Sequence, residues 1–317
     1  MRKPNIGITI GDYNGIGPEV VLKSLQNKKV LSSCNVIIIA DKKVLDSLSI
    51  DIDKRIRIHD CNNIVRIKLG KPTILSGKAS LDYISNGINL IREKTIDCLV
   101  TGPISKTAIS LAGSKFKGHT DLLASAFNVK NVVMAFFSNK INVSLASIHI
   151  PISKVPGYIT QELVFNQISI VNKFLKVFLK NKNPRIGICG FNPHASEDGN
   201  IGFEDLRIIS PAVKLLRKNK IDIVGPLPAD TIFVKKNREK FDIIHAIYHD
   251  QGLIPFKMLA FDKGVNVTLN LPFVRTSPDH GTAYDIAGLN KANSVSMEES
   301  ILLAVKIYRS LSTGRPS

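Results

Sequence analysis

Tryptophan is absent from the 317 residues and aromatic side chains make up only 6% of them, so the rings on which nucleic-acid bases stack are scarce. Cysteine is sparse too. Cys34, Cys61, Cys98 and Cys189 stand far apart with no C-x-x-C spacing, which argues against a disulfide framework or a cysteine zinc site. Cys98 and Cys189 fall inside apolar runs and read as small buried hydrophobes. No apolar run approaches the roughly 18–20 residues that span a bilayer. The opening Met1-Arg-Lys-Pro-Asn-Ile-Gly-Ile-Thr-Ile-Gly-Asp12 meets an acid too early for a secretory h-region, so a cytoplasmic protein without a membrane partner is expected. Acids are outnumbered, 26 Asp plus Glu against 43 Lys plus Arg, leaving a formal charge of +17. Because the lysines are dispersed through helix-like and loop segments, the charge reads as a field favouring small anionic substrates and not as a nucleic-acid surface.

What is present is ordinary globular material: 44% hydrophobic residues and enough length for about two domains. Short β-branched runs such as Ile6–Ile10, Asn35–Ala40, Asp97–Val100, Asn142–Ile148, Arg185–Cys189 and Asp242–Tyr248 alternate with helix-length amphipathic segments such as Gly17–Gln26, Ser80–Glu93, Thr160–Lys180 and Ser296–Leu311. That alternation predicts an α/β protein with a parallel or mixed sheet covered on both faces.

In such sheets ligands gather beyond the carboxyl ends of strands, so polar clusters after apolar runs are the places to search. Gly15-Ile-Gly-Pro-Glu-Val20 fails the G-x-G-x-x-G dinucleotide fingerprint at Val20 and reads as a tight turn into a helix whose first turn holds Pro18, leaving Asp12 and Asn14 free for another use. His149, His194 and His249 each end or follow a strand-like run. One such histidine more often closes a local hydrogen bond, but three in matching places point to a divalent ion with a coordination position left for substrate. His245, inside an apolar run, and His59, in a charged one, read as structural. His119-Thr120, Lys257, Asn266 and Arg275 supply the cations and amides that suit a small phosphorylated acid.

Seven ordered segments carry a resemblance: Gly11-Asp-Tyr-Asn-Gly-Ile-Gly-Pro-Glu19, Thr101-Gly-Pro-Ile-Ser-Lys106, Gly118-His-Thr120, Asn192-Pro-His-Ala195, Gly225-Pro-Leu-Pro-Ala-Asp-Thr231, Tyr248-His-Asp-Gln-Gly252 and Arg275-Thr-Ser-Pro-Asp-His-Gly-Thr-Ala283. Together they resemble the 4-hydroxythreonine-4-phosphate dehydrogenase family, from about Ile6 to Gly288. The first motif and the later His280–Asn293 segment are also similar to the isocitrate and isopropylmalate dehydrogenases.

The resemblance implies a two-domain α/β/α sandwich of the isocitrate dehydrogenase type, not a Rossmann fold, with the active site in the inter-domain cleft. Residues 1–125 and 270–317 would form the first domain, and 126–269 the second, with most metal ligands and a dimer interface. It implies a divalent ion (zinc, magnesium or cobalt) on His149, His194 and His249, with ligands shared across a homodimer. Substrate contacts would come from His119, Thr120, Lys257, Asn266 and Arg275. NAD or NADP would bind through His280, Gly281, Thr282, Ala283, Asp285 and Asn293. The implied reaction is oxidation of 4-phosphooxy-L-threonine to 2-amino-3-oxo-4-phosphooxybutanoate, which decarboxylates to 3-amino-2-oxopropyl phosphate in pyridoxal 5′-phosphate biosynthesis. For the base, Asp250, Asp230, Lys106 and metal-bound hydroxide stay open. Tyr13-Asn14 and Ser196 depart from the family pattern, Pro-Ala and glycine being usual there, and keep an alternative alive: 4-phosphoerythronate or phosphothreonate as substrate. A metal-dependent hydrolase would leave the His280–Asn293 segment without a task.

Overall fold

Runs of β-branched residues without polar alternation belong in strands buried on both faces, and the computed structural model, which describes residues 2–313, places them so. Its strands are β1 (Asn5–Thr9), β2 (Asn35–Ala40), β3 (Arg57–Asp60), β4 (Cys98–Thr101), β5 (Val133–Phe137), β6 (Val143–Leu145), β7 (Ile186–Cys189), β8 (Ile223–Leu227), β9 (Ile243–Ala246), β10 (Val265–Leu269) and β11 (Val274–Pro278). The chain divides into two compact units. One takes the chain up to Lys130 together with Val265–Val267 and Leu271–Ser312; the other takes Asn131–Gly264 and Thr268–Asn270. Residues 314–317, placed with the first domain by the sequence, lie outside the described residues.

In the first unit the strand order is β3-β2-β1-β4-β11-β10, parallel except for β10, which runs antiparallel to β11. The helix Ile74–Arg92 starts earlier than its hydrophobic periodicity predicts, because Thr73 and Ser76 form a reciprocal capping box. The last helix, Val295–Thr313, is tied to β11 where the Thr276 hydroxyl donates to the Ser300 carbonyl at 2.8 Å.

In the second unit the order is β5-β6-β9-β7-β8, parallel except for β5 against β6. One face of β6 and β9 carries Val143, Leu145, Ile244 and Ala246, which pack with Leu253 and Phe256 of the helix His249–Ala260. Gly252 makes this close seating feasible, since a Cβ there would fall 2.7 Å from Leu145 Cδ2. Among the described residues no helix is long and apolar enough to cross a membrane.

The other face of β6 and β9 buries Ser144 and His245, whose Oγ and Nδ1 are 2.9 Å apart. Burial pushes the His245 imidazole down to about 3, whereas an unfolded histidine titrates near 6.5. The native state therefore binds fewer protons, and stability falls as pH drops below about 6.5 and keeps falling toward pH 3. At pH 5 this one group costs about 2 kcal/mol, and denaturant unfolding at pH 7.5 and pH 5 should show a smaller difference for His245→Gln than for the parent.

Candidate active site

The first unit builds a buried basic site at the ends of β4 and β11. Arg275 is only 3% exposed, and its guanidinium donates to the Thr101 hydroxyl at 2.7 Å. Burial lowers the Arg275 pKa to about 10, still far enough above neutrality to keep the cation. His119, at the start of the helix His119–Ala126, has its pKa held well below the usual histidine range by burial and then by the Arg275 charge. Its ring is therefore neutral at pH 7, and its buried Nε2 has no hydrogen-bond partner. Asn266 stands opposite Ser277 in the β10–β11 ladder, on the side of the sheet that Arg275 faces, and its buried Oδ1 is also without a partner. Thr120 follows His119 and is half-buried. Buried polar atoms are rarely left unsatisfied, so an imidazole nitrogen and an amide oxygen held open beside a buried cation describe a polar ligand's place.

The second unit brings two of the three strand-end histidines together. Leu145 of β6 pairs with Ala246 of β9, and the ladder continues through Ser147 N–H to the Ile247 carbonyl at 3.1 Å. His149 and His249 follow within a few residues on each chain, and their ring centres lie 5.7 Å apart. Two imidazoles on one ion, with metal–nitrogen bonds of about 2.0–2.1 Å, put their ring centres roughly 5–6 Å apart, so this pair fits a shared metal. The Nδ1 of His249 is engaged by Asp250 Oδ1 at 2.6 Å, which leaves Nε2 for a ligand bond, a common arrangement for a metal-binding histidine. Asp250, a candidate base from the sequence, thus orients His249. His194 stands apart on an outward turn, its side chain 63% exposed and its Nδ1 3.8 Å from Glu197 Oε2. Among the described residues no three His, Cys, Asp or Glu side chains converge as a metal site within the chain. Lys257 lies on the His249–Ala260 helix with its ammonium over the Phe261 ring; Asp230 and Lys106 are exposed near the starts of short helices.

The glycine-rich first motif finds its use in the late loop of the same unit. Ile16 N–H donates to the Thr282 carbonyl at 2.9 Å, and Gly15 must lack a Cβ because one would lie 2.6 Å from that oxygen. The Tyr284 hydroxyl donates to buried Asp12 at 2.8 Å, and Ser76 donates to the same carboxylate. Glu19 accepts the Ala292 N–H, while Lys23 donates to the carbonyls of Asn290 and Ala292. Asn14 braces a different segment, accepting the Lys68 N–H and donating to the Lys71 carbonyl. Neither Asp12 nor Asn14 is free for a ligand. Of the late-loop residues singled out by the sequence, Ala283 is left-handed at φ 40°, Asn293 caps the last helix through the Val295 N–H, and His280 Nδ1 sits 3.1 Å from the Gly281 carbonyl. Gly281 and Asp285 are exposed. Beside the loop opens a cleft of about 360 Å³ with apolar walls, including Val44, Leu48, Ile50 and Leu69, and an edge at Gly288 and Asn290.

A family model described as pyridoxal phosphate biosynthetic protein PdxA matches residues 18–304. The chain belongs to the PdxA family. Among curated relatives it is 42% identical to a 4-hydroxythreonine-4-phosphate dehydrogenase of Sulfurihydrogenibium sp. (strain YO3AOP1), over 96% of this chain and 98% of that one. It is 40% identical to another of that name from Desulforapulum autotrophicum, over 96% and 95%. The crystal structure of the Klebsiella pneumoniae 4-hydroxythreonine-4-phosphate dehydrogenase superposes with a TM-score of 0.84 at 33% identity, covering 96% of this chain and 98% of that one. A β-decarboxylating dehydrogenase from Thermococcus kodakarensis and an isocitrate dehydrogenase from Methylococcus capsulatus, each 13% identical, share the fold with TM-scores of 0.52 and 0.50. They cover 99% of this chain and 90% and 86% of their own. The PdxA chain thus has the isocitrate-type α/β architecture its sequence predicts.

Proposed function

We propose that this chain is an NAD(P)-dependent 4-hydroxythreonine-4-phosphate dehydrogenase, oxidising the C3 hydroxyl of 4-phosphooxy-L-threonine in vitamin B6 biosynthesis. The observation that carries this reading is the buried Arg275 cation, with the buried, unpartnered Nε2 of His119 and Oδ1 of Asn266 in the same unit, in a chain whose PdxA relatives bear that name. Arg275 neutralises the phosphate or carboxylate of the substrate, with Lys257 as the second cation. Neutral His119 can give or take one hydrogen bond without adding charge, and the Asn266 oxygen accepts one from a hydroxyl or ammonium group. His149 and His249, with His194, would hold a divalent ion. Such an ion would supply Lewis-acid stabilisation of negative charge on oxygen, and a nicotinamide would supply the hydride acceptor. The Asp12–Tyr284 and Glu19–Ala292 bonds fix the late loop, and the neighbouring apolar cleft is of a size and character to take an adenine ring.

The test is absorbance of reduced nicotinamide with purified protein, a divalent metal, NAD or NADP, and 4-phosphooxy-L-threonine beside 4-phosphoerythronate and 4-phosphothreonate. Reduction with the first substrate is expected; reduction only with the others moves the protein to another pathway.

The same reading makes the protein a homodimer with ligands from both copies. Ile254, Met258 and Phe261, 58%, 81% and 70% exposed, follow one another at i, i+4 and i+7 on and just after the helix that carries His249. An exposed apolar stripe of this kind marks an interaction surface. Light scattering should show a dimer for the parent and a monomer for Met258→Asp combined with Phe261→Asp, with turnover lost at least 100-fold. A variant that stays dimeric places the interface elsewhere.

A further inference from the structure

After β7 the chain passes Asn192 and Pro193 and then takes five consecutive non-glycine residues at positive φ: His194 at 51°, Ala195 at 53°, Ser196 at 70°, Glu197 at 42° and Asp198 at 54°. Gly199 at φ 98° completes the turn. Residues with a Cβ disfavour this left-handed region, and a run of them persists only where the surroundings over-determine it. The surroundings here centre on one buried carboxylate. Asp205 accepts the backbone N–H of Phe191 at 2.6 Å, that of Asn192 at 3.0 Å and the Ser196 hydroxyl at 2.7 Å. The first two bonds fix how the chain enters the turn, and the third pulls its middle inward. Asp205 and Ser196 are both fully buried. The Asn192 amide adds a brace to Ser196 Oγ at 3.2 Å and to Glu204 at 2.7 Å. Gly190 makes room, since a Cβ on it would lie 2.8 Å from the Ala195 Cα. Asp205 is itself held at the start of a π-turn, Asp205–Ile209, that runs straight into the helix Ser210–Lys218. The outcome is a turn with Ser196 inside and the His194 side chain outside, 63% exposed.

We propose that Asp205 and Ser196 are positioning residues for metal binding: they hold the left-handed turn that presents His194 outward in a ligand-ready conformation. This rests on the reading that His194 is a metal ligand. A turn of ordinary hand would need neither a buried carboxylate nor a buried hydroxyl, and the chain commits both to a segment whose exposed side chains, beside Pro193, Glu197 and Asp198, include one of its three strand-end histidines. Ser196 does two opposing things. Its Cβ strains a backbone that suits glycine, and its hydroxyl restores the conformation through Asp205.

The experiment uses the full-length protein, stripped of metal with a chelator and titrated with Co2+ by visible absorbance. Steady-state kinetics are then read at limiting and saturating Co2+. His194→Ala is the reference and should weaken Co2+ binding at least 100-fold. Asp205→Asn and Ser196→Ala should weaken it about 10- to 100-fold, the range typical of residues supporting a ligand, while kcat at saturating metal stays within a few-fold of the parent. Ser196→Gly should bind within about 3-fold of the parent, because glycine takes φ 70° without strain and so replaces what the hydroxyl supplied. A residue that only supports the fold would lower kcat and melting temperature together and would not be rescued by glycine. Parent-like Co2+ affinity in Ser196→Ala and Asp205→Asn, alongside a defective His194→Ala, overturns the proposal and leaves the ligand reading intact. Parent-like affinity in His194→Ala overturns both. Should Asp205→Asn fail to fold, the Ser196→Ala and Ser196→Gly pair still decides.

Discussion

Replacing His249 by alanine is expected to cut turnover by at least 1,000-fold and leave the protein folded. The side chain is 37% exposed and makes its one side-chain hydrogen bond outward to Asp250, so its removal opens no cavity and strands no buried group; surface changes of this kind stay within about 0.5 kcal/mol. The imidazole's value lies in Nε2, which the Asp250 contact leaves available beside His149. On the proposed reading His249 is a direct ligand, and its loss would remove both metal affinity and the electrostatic stabilisation the metal would supply, so excess metal should not restore the rate. Asp250→Asn separates ligand from support. It keeps a hydrogen-bonding oxygen but loses the charge that fixes the imidazole, so metal affinity should fall roughly 10- to 100-fold and rate should return as metal is raised. Activity with a range of metal concentrations, and circular dichroism of both variants, check the pair. Near-parental turnover in His249→Ala in metal-depleted buffer would remove the metal from the mechanism.

The convergence of His149 and His249 was legible in the sequence because it follows from a rule of topology: neighbouring parallel strands deliver their carboxyl ends to one place. The sequence groups His194 with them, whereas within the chain the structure keeps it apart. Its turn is left-handed through Ser196, Glu197 and Asp198, residues that carry no local signal for that region, and the cause is Asp205, a side chain from a later element. The helix His249–Ala260 was hidden for a similar reason. Gly252 and Pro255 interrupt any helical pattern, yet Gly252 is required where the helix meets Leu145 and Val143. Strand β11 carries no strand signal, because Val-Arg-Thr-Ser-Pro lacks both alternation and an apolar run, yet all five residues are buried and Arg275 lies inside it. Asp12 and Asn14 were visible as uncommitted polar residues, but their partners were not, since Tyr284 lies 272 residues from Asp12 and Lys68 lies 54 from Asn14. Local chemistry announces that a residue is polar and placed at a strand end; which partner satisfies it is decided by contacts distant in sequence.

Arg275→Met should separate binding from stability in the opposite sense to a core mutation. Burying a guanidinium carries a desolvation cost, already visible in the lowered Arg275 pKa, and removing the charge recovers that cost against the loss of the hydrogen bond to Thr101. The melting temperature should therefore move much less than the affinity for substrate. Substrate, by contrast, loses a fully desolvated cation opposite its phosphate or carboxylate, and truncating one side of such a pair typically costs 2–5 kcal/mol. That corresponds to roughly 30- to several-thousand-fold in kcat/KM, while NAD(P) affinity, measured by quenching or calorimetry, should stay near the parent value. His119 supplies an independent readout. Burial holds its pKa down first and the Arg275 charge second, so removing the charge should move the His119 pKa upward, but only part of the way back, in a pH titration of its ring resonances. Arg275→Lys would test geometry at constant charge: a single ammonium cannot reproduce the planar fork that holds Thr101 and a bidentate oxyanion together, so partial recovery of KM without full recovery is the expected result. Equal loss of substrate and cofactor affinity in Arg275→Met, with a fallen melting temperature, would mean that the guanidinium supports the fold through Thr101 and that the anion is held elsewhere.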